Sequence, residues 1–235
     1  MENQPVKPYY EDANTTIYHG DALEVLPELD YGYDAVLTDP PYVIGAVSAG
    51  NMESKSGGWA DMMNSATWFV AWYSQVNRIL KRSGVFWTCC NWRSLPVVMR
   101  AASDARLPVT SLAVWDKQWI GPGGTQGLRP SYELVAMLAG PEYAIKNRGI
   151  PDIIRVPTSA HKPTGHPAEK PLPLMERILT ISELEPGAAV LDPFLGSGTT
   201  LRAAKNLGLR GVGIEAEERY CELAAQRMAQ EVLPF

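Results

Sequence analysis

The sequence is poor in the residues that staple small proteins or bind metals. Its 235 residues include three cysteines, two of them adjacent (Cys89 and Cys90), and no CxxC or Cys/His cluster. That excludes a disulfide framework and leaves zinc without a ligand set, so no metal is expected. No apolar run approaches the roughly 20 residues of a membrane-spanning helix. The opening MENQPVKPYY does not read as a signal peptide. A reduced, cytoplasmic protein with no membrane partner is the expectation. Basic residues are also in the minority: the formal charge of −5 argues against a general nucleic-acid binder.

What is present describes an ordinary folded chain, 46% hydrophobic and 20% charged, and long enough for one α/β core. The charge is uneven. Residues 1–40 carry nine acids against one base, and 183–235 eight acids against five bases. The middle, 41–182, carries fifteen bases against nine acids, so a polyanion would meet the middle. Solvated helix faces would account for the same distribution.

Seven stretches read as strands: 15–20, 34–38, 84–91, 109–115, 132–140, 188–192 and 210–215. Helical patterns alternate with them at 21–29, 66–80, 92–103 (Pro96 in its first turn), from about 171, at 199–208 and at 216–232. Asp21 is placed to cap the first of these, with Glu24 at the capping-box position. Strands alternating with helices indicate a mostly parallel, doubly wound sheet. The polar, glycine-rich 45–61 and the irregular 119–130 read as loops, and 141–168 has little periodic signal. The aromatic pattern ATWFVAWY (66–73) either covers the sheet or forms a subunit interface.

Two corners stand out. VLTDPPYVIG (36–45) ends a strand in an acid, two prolines and a tyrosine. The prolines cannot donate to a ladder, so the strand stops there. Alone, this is equally a strand-ending turn. DPFLGSGTT (192–200) leads from a strand to a helix through Gly196 and Gly198, which permit a tight turn close to a ligand. No lysine follows as in a phosphate loop, so nucleotide triphosphate hydrolysis is not expected. Glu215 ends the next strand, where an α/β nucleoside site places an acid for ribose hydroxyls; an acid there equally serves as a cap for the next helix.

DPPY at 39–42 together with DPFLGSGTT at 192–200 resembles the DNA amino-methyltransferases that modify adenine N6 or cytosine N4. The order is that of the permuted β class, in which the catalytic motif precedes the cofactor motif. HGDALEVL (19–26), RPSYELV (129–135) and HPAEKPLPLMERIL (166–179) resemble further family segments, so the likeness covers most of 15–230. It implies one permuted methyltransferase domain over 15–235: an α/β, doubly wound, mostly parallel, seven-stranded Rossmann-like sheet with helices on both faces. A small target-recognition insertion at 117–165 and a mobile catalytic or DNA loop at 43–65 are expected within it.

The resemblance also implies S-adenosylmethionine as cofactor. Asp192, Pro193, Phe194, Gly196 and Gly198 would line its methionine and adenosine side, and Ser197, Thr199 and Thr200 would fix the carboxylate or amine. Glu215 would take the ribose hydroxyls and Asp21 would lie near the adenine. His166 and Lys170 would lie near the carboxylate, against the simpler readings of a local hydrogen bond and a solvated first turn.

Asp39, Pro40, Pro41 and Tyr42 would carry catalysis. An exocyclic amine is a poor nucleophile because its lone pair is delocalised into the ring. The Asp39 carboxylate and the Pro40 carbonyl can accept its two hydrogens, and Tyr42 can stack on the flipped base. Direct amine attack gives Cys89 and Cys90 no task, so both are read as core.

The implied activity is site-specific adenine-N6 methylation of double-stranded DNA. Cytosine-N4 methylation is the alternative, though the cytosine enzymes more often carry serine where Asp39 stands. A non-catalytic DNA-binding subunit is opposed by the intact motifs, and an RNA or protein-glutamine methyltransferase by the permuted order and the basic middle. A homodimer and a cognate restriction endonuclease are further partners compatible with the family. DNA contacts are expected from Lys117, Arg129, Lys146, Arg148, Arg155, His161 and Lys162.

Overall fold

A computed structural model of the chain describes residues 6–41, 59–121, 127–158 and 169–230, without the side chains of 59–65. All seven expected strands are present among nine. They are β1 (Tyr10–Glu11), β2 (Thr15–His19), β3 (Tyr33–Thr38), β4 (Leu80–Cys90), β5 (Val109–Asp116), β6 (Tyr132–Ala139), β7 (Ile153–Arg155), β8 (Ala189–Asp192) and β9 (Arg210–Glu215). The sheet is therefore nine-stranded rather than seven-stranded. The two additions, β1 and β7, are two and three residues long, too short for alternation to register in the sequence.

The sheet order is β1-β2-β9-β8-β3-β4-β6-β5-β7. The run from β2 to β4 is parallel, whereas β6 is antiparallel to both β4 and β5. The order places β3 directly against β8, with Ala35 opposite Val190 and Val36 opposite Leu191. From β3 the chain leaves toward β4, and from β8 toward β9 on the other side. The carboxyl ends of these two strands thus flank a topological switch point, where open α/β sheets bind ligands.

Alternate strand residues divide between the two faces. Val36, Phe86, Leu134 and Leu191 face α2 (Trp59–Ile79) and α3 (Leu95–Asp104). Ala35, Val85, Val135 and Val190 face α4 (Leu172–Ile181) and α5 (Thr199–Asn206). α6 (Glu218–Ala229) packs through Cys221, Ala224 and Met228 onto Ile17 of β2 and Leu201 of α5. Cys89 and Cys90 are buried on opposite faces, as expected of core residues.

α2 settles the question raised by ATWFVAWY. Phe69, Trp72 and Tyr73 are buried against Phe86 and the sheet, so this stretch is a cover for the core. The helix starts at Trp59, seven residues before the start expected from its apolar pattern, and 59–65 are helical rather than loop. The remainder of the 43–65 loop expectation, 43–58, lies outside the described residues. The first helix is shorter than expected: α1 spans Ala22–Val25 and passes into a 3-10 turn at Leu26–Glu28. Pro27 cannot supply the α-helical hydrogen bond there. The Arg78 guanidinium of α2 donates instead to the Leu26, Pro27 and Leu29 carbonyls, satisfying the exposed end.

Candidate active site

Thr38 is the last residue of β3 and is fully buried. Its hydroxyl donates to Asp192 Oδ1 of β8 at 2.6 Å, which fixes the two corners side by side. Asp192 also accepts the Phe194 N–H at 3.1 Å, holding the start of the glycine turn. Burial pushes the Asp192 carboxyl up to about 6, against the pull of donors from Thr38, Thr200 and the Phe194 backbone.

The turn then follows the route its glycines allow. Gly196 and Gly198 both adopt positive φ, at 54° and 83°. A Cβ on Gly198 would lie 3.0 Å from that of Ala224, so this glycine serves the close approach of α6. The Gly196 N–H donates to Glu215 Oε2 at 2.7 Å, and Glu215 Oε1 accepts from the Glu217 N–H at 2.8 Å. Glu215 therefore orders the turn and the start of the last helix at once.

A cavity of about 640 Å³ opens over these strand ends. Asp39, Pro40 and Pro41 form part of its wall, Gly20, Asp21 and Ala22 another part, and Pro193, Phe194, Gly196 and Glu215 a third. Trp68 of α2, whose ring centroid lies 5.3 Å from that of Phe194, adds an aromatic surface. Asp21 also caps α1, accepting the Leu23 N–H at 2.7 Å. Asp192, Ser197, Thr199 and Thr200 lie round a smaller adjoining space of about 70 Å³ that Asp39 and Lys170 share. Gly198 lines neither space. Tyr42 and His166 lie outside the described residues.

Lys170 is the residue whose surroundings differ most from expectation. Its ammonium is hydrogen-bonded to Asp39 Oδ2 and lies 3.4 Å from Glu133 Oε2. Burial alone would lower its pKa, but the Asp39 and Glu133 carboxylates overcome that and raise it, so the cation persists. Glu133 in turn is held below its usual range despite burial, by Lys170 and by Lys117 at 2.6 Å. Burial and the neighbouring Asp39 raise the Cys89 thiol well above its usual value, which suits an inert core residue.

Several wall residues escaped sequence reasoning. Glu133 carried a signal, since it is the charged residue in the otherwise apolar run of β6. Glu169 carried little beyond its place beside Lys170. Its carboxylate is almost wholly buried and pairs with Arg227 of α6 at 2.9 Å. The same guanidinium donates to the Ser197 carbonyl and the Thr199 hydroxyl, tying α6 to the glycine turn. Nothing local connects residues 169 and 227. Two expected DNA contacts are engaged elsewhere: Lys117 faces Glu133, and Arg129 donates to the Gly121 and Ile120 carbonyls. Lys146 pairs with Glu185 at 3.5 Å and Arg155 with Asp116 at 3.9 Å, both on the surface. His161 and Lys162 lie outside the described residues.

The DNA methylase family model N6_N4_Mtase matches residues 33–151 and 146–226, spanning both corners and the strands that carry them. The chain belongs to this family. Among its relatives, the type II methyltransferase M.ScaI of Streptomyces caespitosus is 27% identical over 272 residues, covering 96% of this chain and 84% of that one. The M1.HpyAVI–SAM complex superposes with a TM-score of 0.72 at 26% identity, over 92% of this chain and all of that one. The cytosine-N4-specific PvuII DNA methyltransferase shares the fold, with a TM-score of 0.78 at 20% identity over 99% and 92% of the two chains. Within this DNA methylase, the described residues contain no helix long and apolar enough to cross a membrane and no cluster suited to a metal ion.

Proposed function

We propose that this DNA methylase transfers the methyl group of S-adenosylmethionine to N6 of an adenine flipped out of double-stranded DNA. The observation that carries the reading is the shared cavity. Asp39, just after β3, lines the same space as Gly196, in the turn that follows β8, and Glu215, the last residue of β9. The order of the corners along the chain, DPPY first, is that of the permuted class.

The residues fit such a methyl donor. Gly196 lines the wall with backbone alone, its N–H held by Glu215, and Glu215 presents a carboxylate beside the turn, suited to a pair of ribose hydroxyls. Asp21, Phe194 and Trp68 surround the remaining apolar and polar surface. When bound, S-adenosylmethionine supplies a methyl group on an electron-poor sulfonium sulfur.

The chain's own groups prepare the amine. The Asp39 carboxylate and the Pro40 carbonyl accept its two hydrogens, turning the nitrogen lone pair out of conjugation and toward the methyl carbon. Proline fixes the backbone that presents this carbonyl, so little reorientation is left for the reaction itself. The nitrogen would gain the methyl carbon, the methyl–sulfur bond breaking with its electron pair left on sulfur, and it would lose a proton, which Asp39 takes. Tyr42 stacks on the extruded base, offsetting part of the few kcal/mol that flipping costs. The acid at position 39, where cytosine-N4 relatives more often carry serine, favours adenine. DNA meets the loop region 43–65 and the basic stretch 117–165, with Arg148 and Arg155 among its contacts. A homodimer and a cognate restriction endonuclease fit the same reading.

The test is to supply purified protein with labelled S-adenosylmethionine and mixed-sequence DNA, then identify the modified base. N6-methyladenine in a fixed sequence context is expected. N4-methylcytosine would overturn the choice of base, and label only in RNA or protein would overturn the DNA substrate.

A further inference from the structure

Four charges run in alternation through the wall of the cavity, each from a different part of the chain. Lys117 follows β5, Glu133 is the second residue of β6, Lys170 precedes α4, and Asp39 follows β3. Lys117 Nζ lies 2.6 Å from Glu133 Oε1, Lys170 Nζ lies 3.4 Å from Glu133 Oε2, and Lys170 is hydrogen-bonded to Asp39. All four side chains are at least four-fifths buried. Two cations and two anions sum to zero, which is how so many charges can stand together with so little water.

We infer that Glu133 and Lys117 are positioning residues for the catalytic acid, acting through Lys170. The inference rests on the methyltransferase reading above, because only there does Asp39 have an amine to receive. An ammonium is a compact charge on a flexible stem, and it settles where the surrounding carboxylates balance. Without Glu133, Lys170 would sit more squarely on the carboxylate that the target amine needs. Glu133 draws the ammonium partly away. Glu133 itself stays in place because Lys117, across the base of the β5–β6 hairpin, holds its other oxygen. The register of that hairpin, with Lys117 N–H donating to the Ser131 carbonyl at 3.0 Å, therefore helps set the orientation of Asp39.

A structural ion-pair cluster would contribute to folding alone, so the two roles separate by experiment. E133Q, which keeps the shape, is compared with wild type and with K117M for turnover of labelled S-adenosylmethionine on methylatable DNA. Calorimetry reports cofactor affinity for the same proteins. In E133Q, kcat falls by about 10- to 100-fold, as a misplaced catalytic group costs, while cofactor affinity stays near wild type. K117M alone falls in the same direction, but adding it to E133Q has little further effect, since it acts through Glu133.

NMR of 15N-lysine protein gives a readout independent of turnover. The groups facing Lys170 that raise its titration are Asp39, Glu133 and Cys89. Losing Glu133 shifts the Lys170 ammonium resonance at neutral pH, because the ammonium then rests closer to Asp39. E133Q turning over at the wild-type rate, or losing stability without this kcat effect, overturns the inference and leaves the methyltransferase reading intact. Wild-type protein that methylates no DNA overturns both.

Discussion

The Thr38 hydroxyl donates to Asp192 at 2.6 Å, joining strand ends that are 154 residues apart in the chain. It is the point at which the acid corner and the glycine corner become one structure. Thr38→Val keeps the shape and removes the donor, leaving a buried carboxylate with one partner fewer. The expected loss is about 1–3 kcal/mol of unfolding free energy at pH 7.5, read by urea denaturation. The loss shrinks at pH 5, where Asp192 is largely protonated and needs the donor less.

Asp192 itself leaves a signature in the pH dependence of stability. Its folded-state pKa is raised to about 6, because burial outweighs the donors that favour its charge. The folded chain therefore holds this proton more tightly than the unfolded chain does. The contribution is fully present below about pH 4 and is lost as pH rises through 6, a change of about 3 kcal/mol. Measured against Asp192→Asn, which does not titrate, wild-type stability should fall across that window and run parallel to the variant above pH 7. A constant difference from pH 4 to 7 would refute the assignment.

Much of this arrangement was legible in one dimension. The apolar runs of β3, β4 and β6, the prolines at 40 and 41 and the glycines at 196 and 198 are local signals, and each has the structural consequence its chemistry dictates. What stayed hidden was pairwise. Lys170 is expected beside a ligand carboxylate and lines the cavity, but its pairing with Asp39 and Glu133 is set by strand order rather than by sequence distance. Arg227 is an ordinary helical arginine until α6 folds back over the glycine turn and reaches Glu169. β1 and β7 are too short to alternate; they exist because longer strands offer them an edge.

The two glycines of the turn should fail differently. Gly198→Ala meets both a positive φ and the 3.0 Å approach to Ala224, so it should lose about 1–3 kcal/mol of stability. Since Gly198 lines no wall of the cavity, cofactor affinity should be spared in the protein that remains folded. Gly196→Ala shares the positive φ at a residue that lines the cavity and holds Glu215 through its N–H, so it should lower cofactor affinity as well as stability. Thermal melts paired with calorimetry separate the two, and equal affinity losses would contradict the division of labour.

Arg227 and Glu169 form a pair that is costly to break from one side. Arg227→Met removes the cation 2.9 Å from the buried Glu169 carboxylate and releases the Ser197 carbonyl and Thr199 hydroxyl. A loss of about 3–5 kcal/mol is expected for one partner removed. Glu169→Gln combined with Arg227→Met should cost less than the sum of the two single changes, because no unpaired charge remains. Strict additivity in denaturant titrations would show that the pair is not coupled.

Asp39 gives the most direct test of the chemistry, and the structure indicates that it can be removed without collapse. Asp39→Ala takes away a carboxylate partner of Lys170, but Glu133 remains 3.4 Å from the ammonium, so the buried cation keeps a counter-ion. Cofactor affinity should change little, because the glycine turn and Glu215 are held by their own hydrogen bonds. Methyl transfer should fall by at least about 100- to 1,000-fold, the cost of losing an aligned acceptor at the reacting amine. Asp39→Asn sharpens the point: its amide oxygen still accepts a hydrogen bond but cannot take the proton. A rate for Asn between those of Ala and wild type would divide the contribution of Asp39 into orientation and proton acceptance, and undiminished transfer in Ala would remove Asp39 from the mechanism.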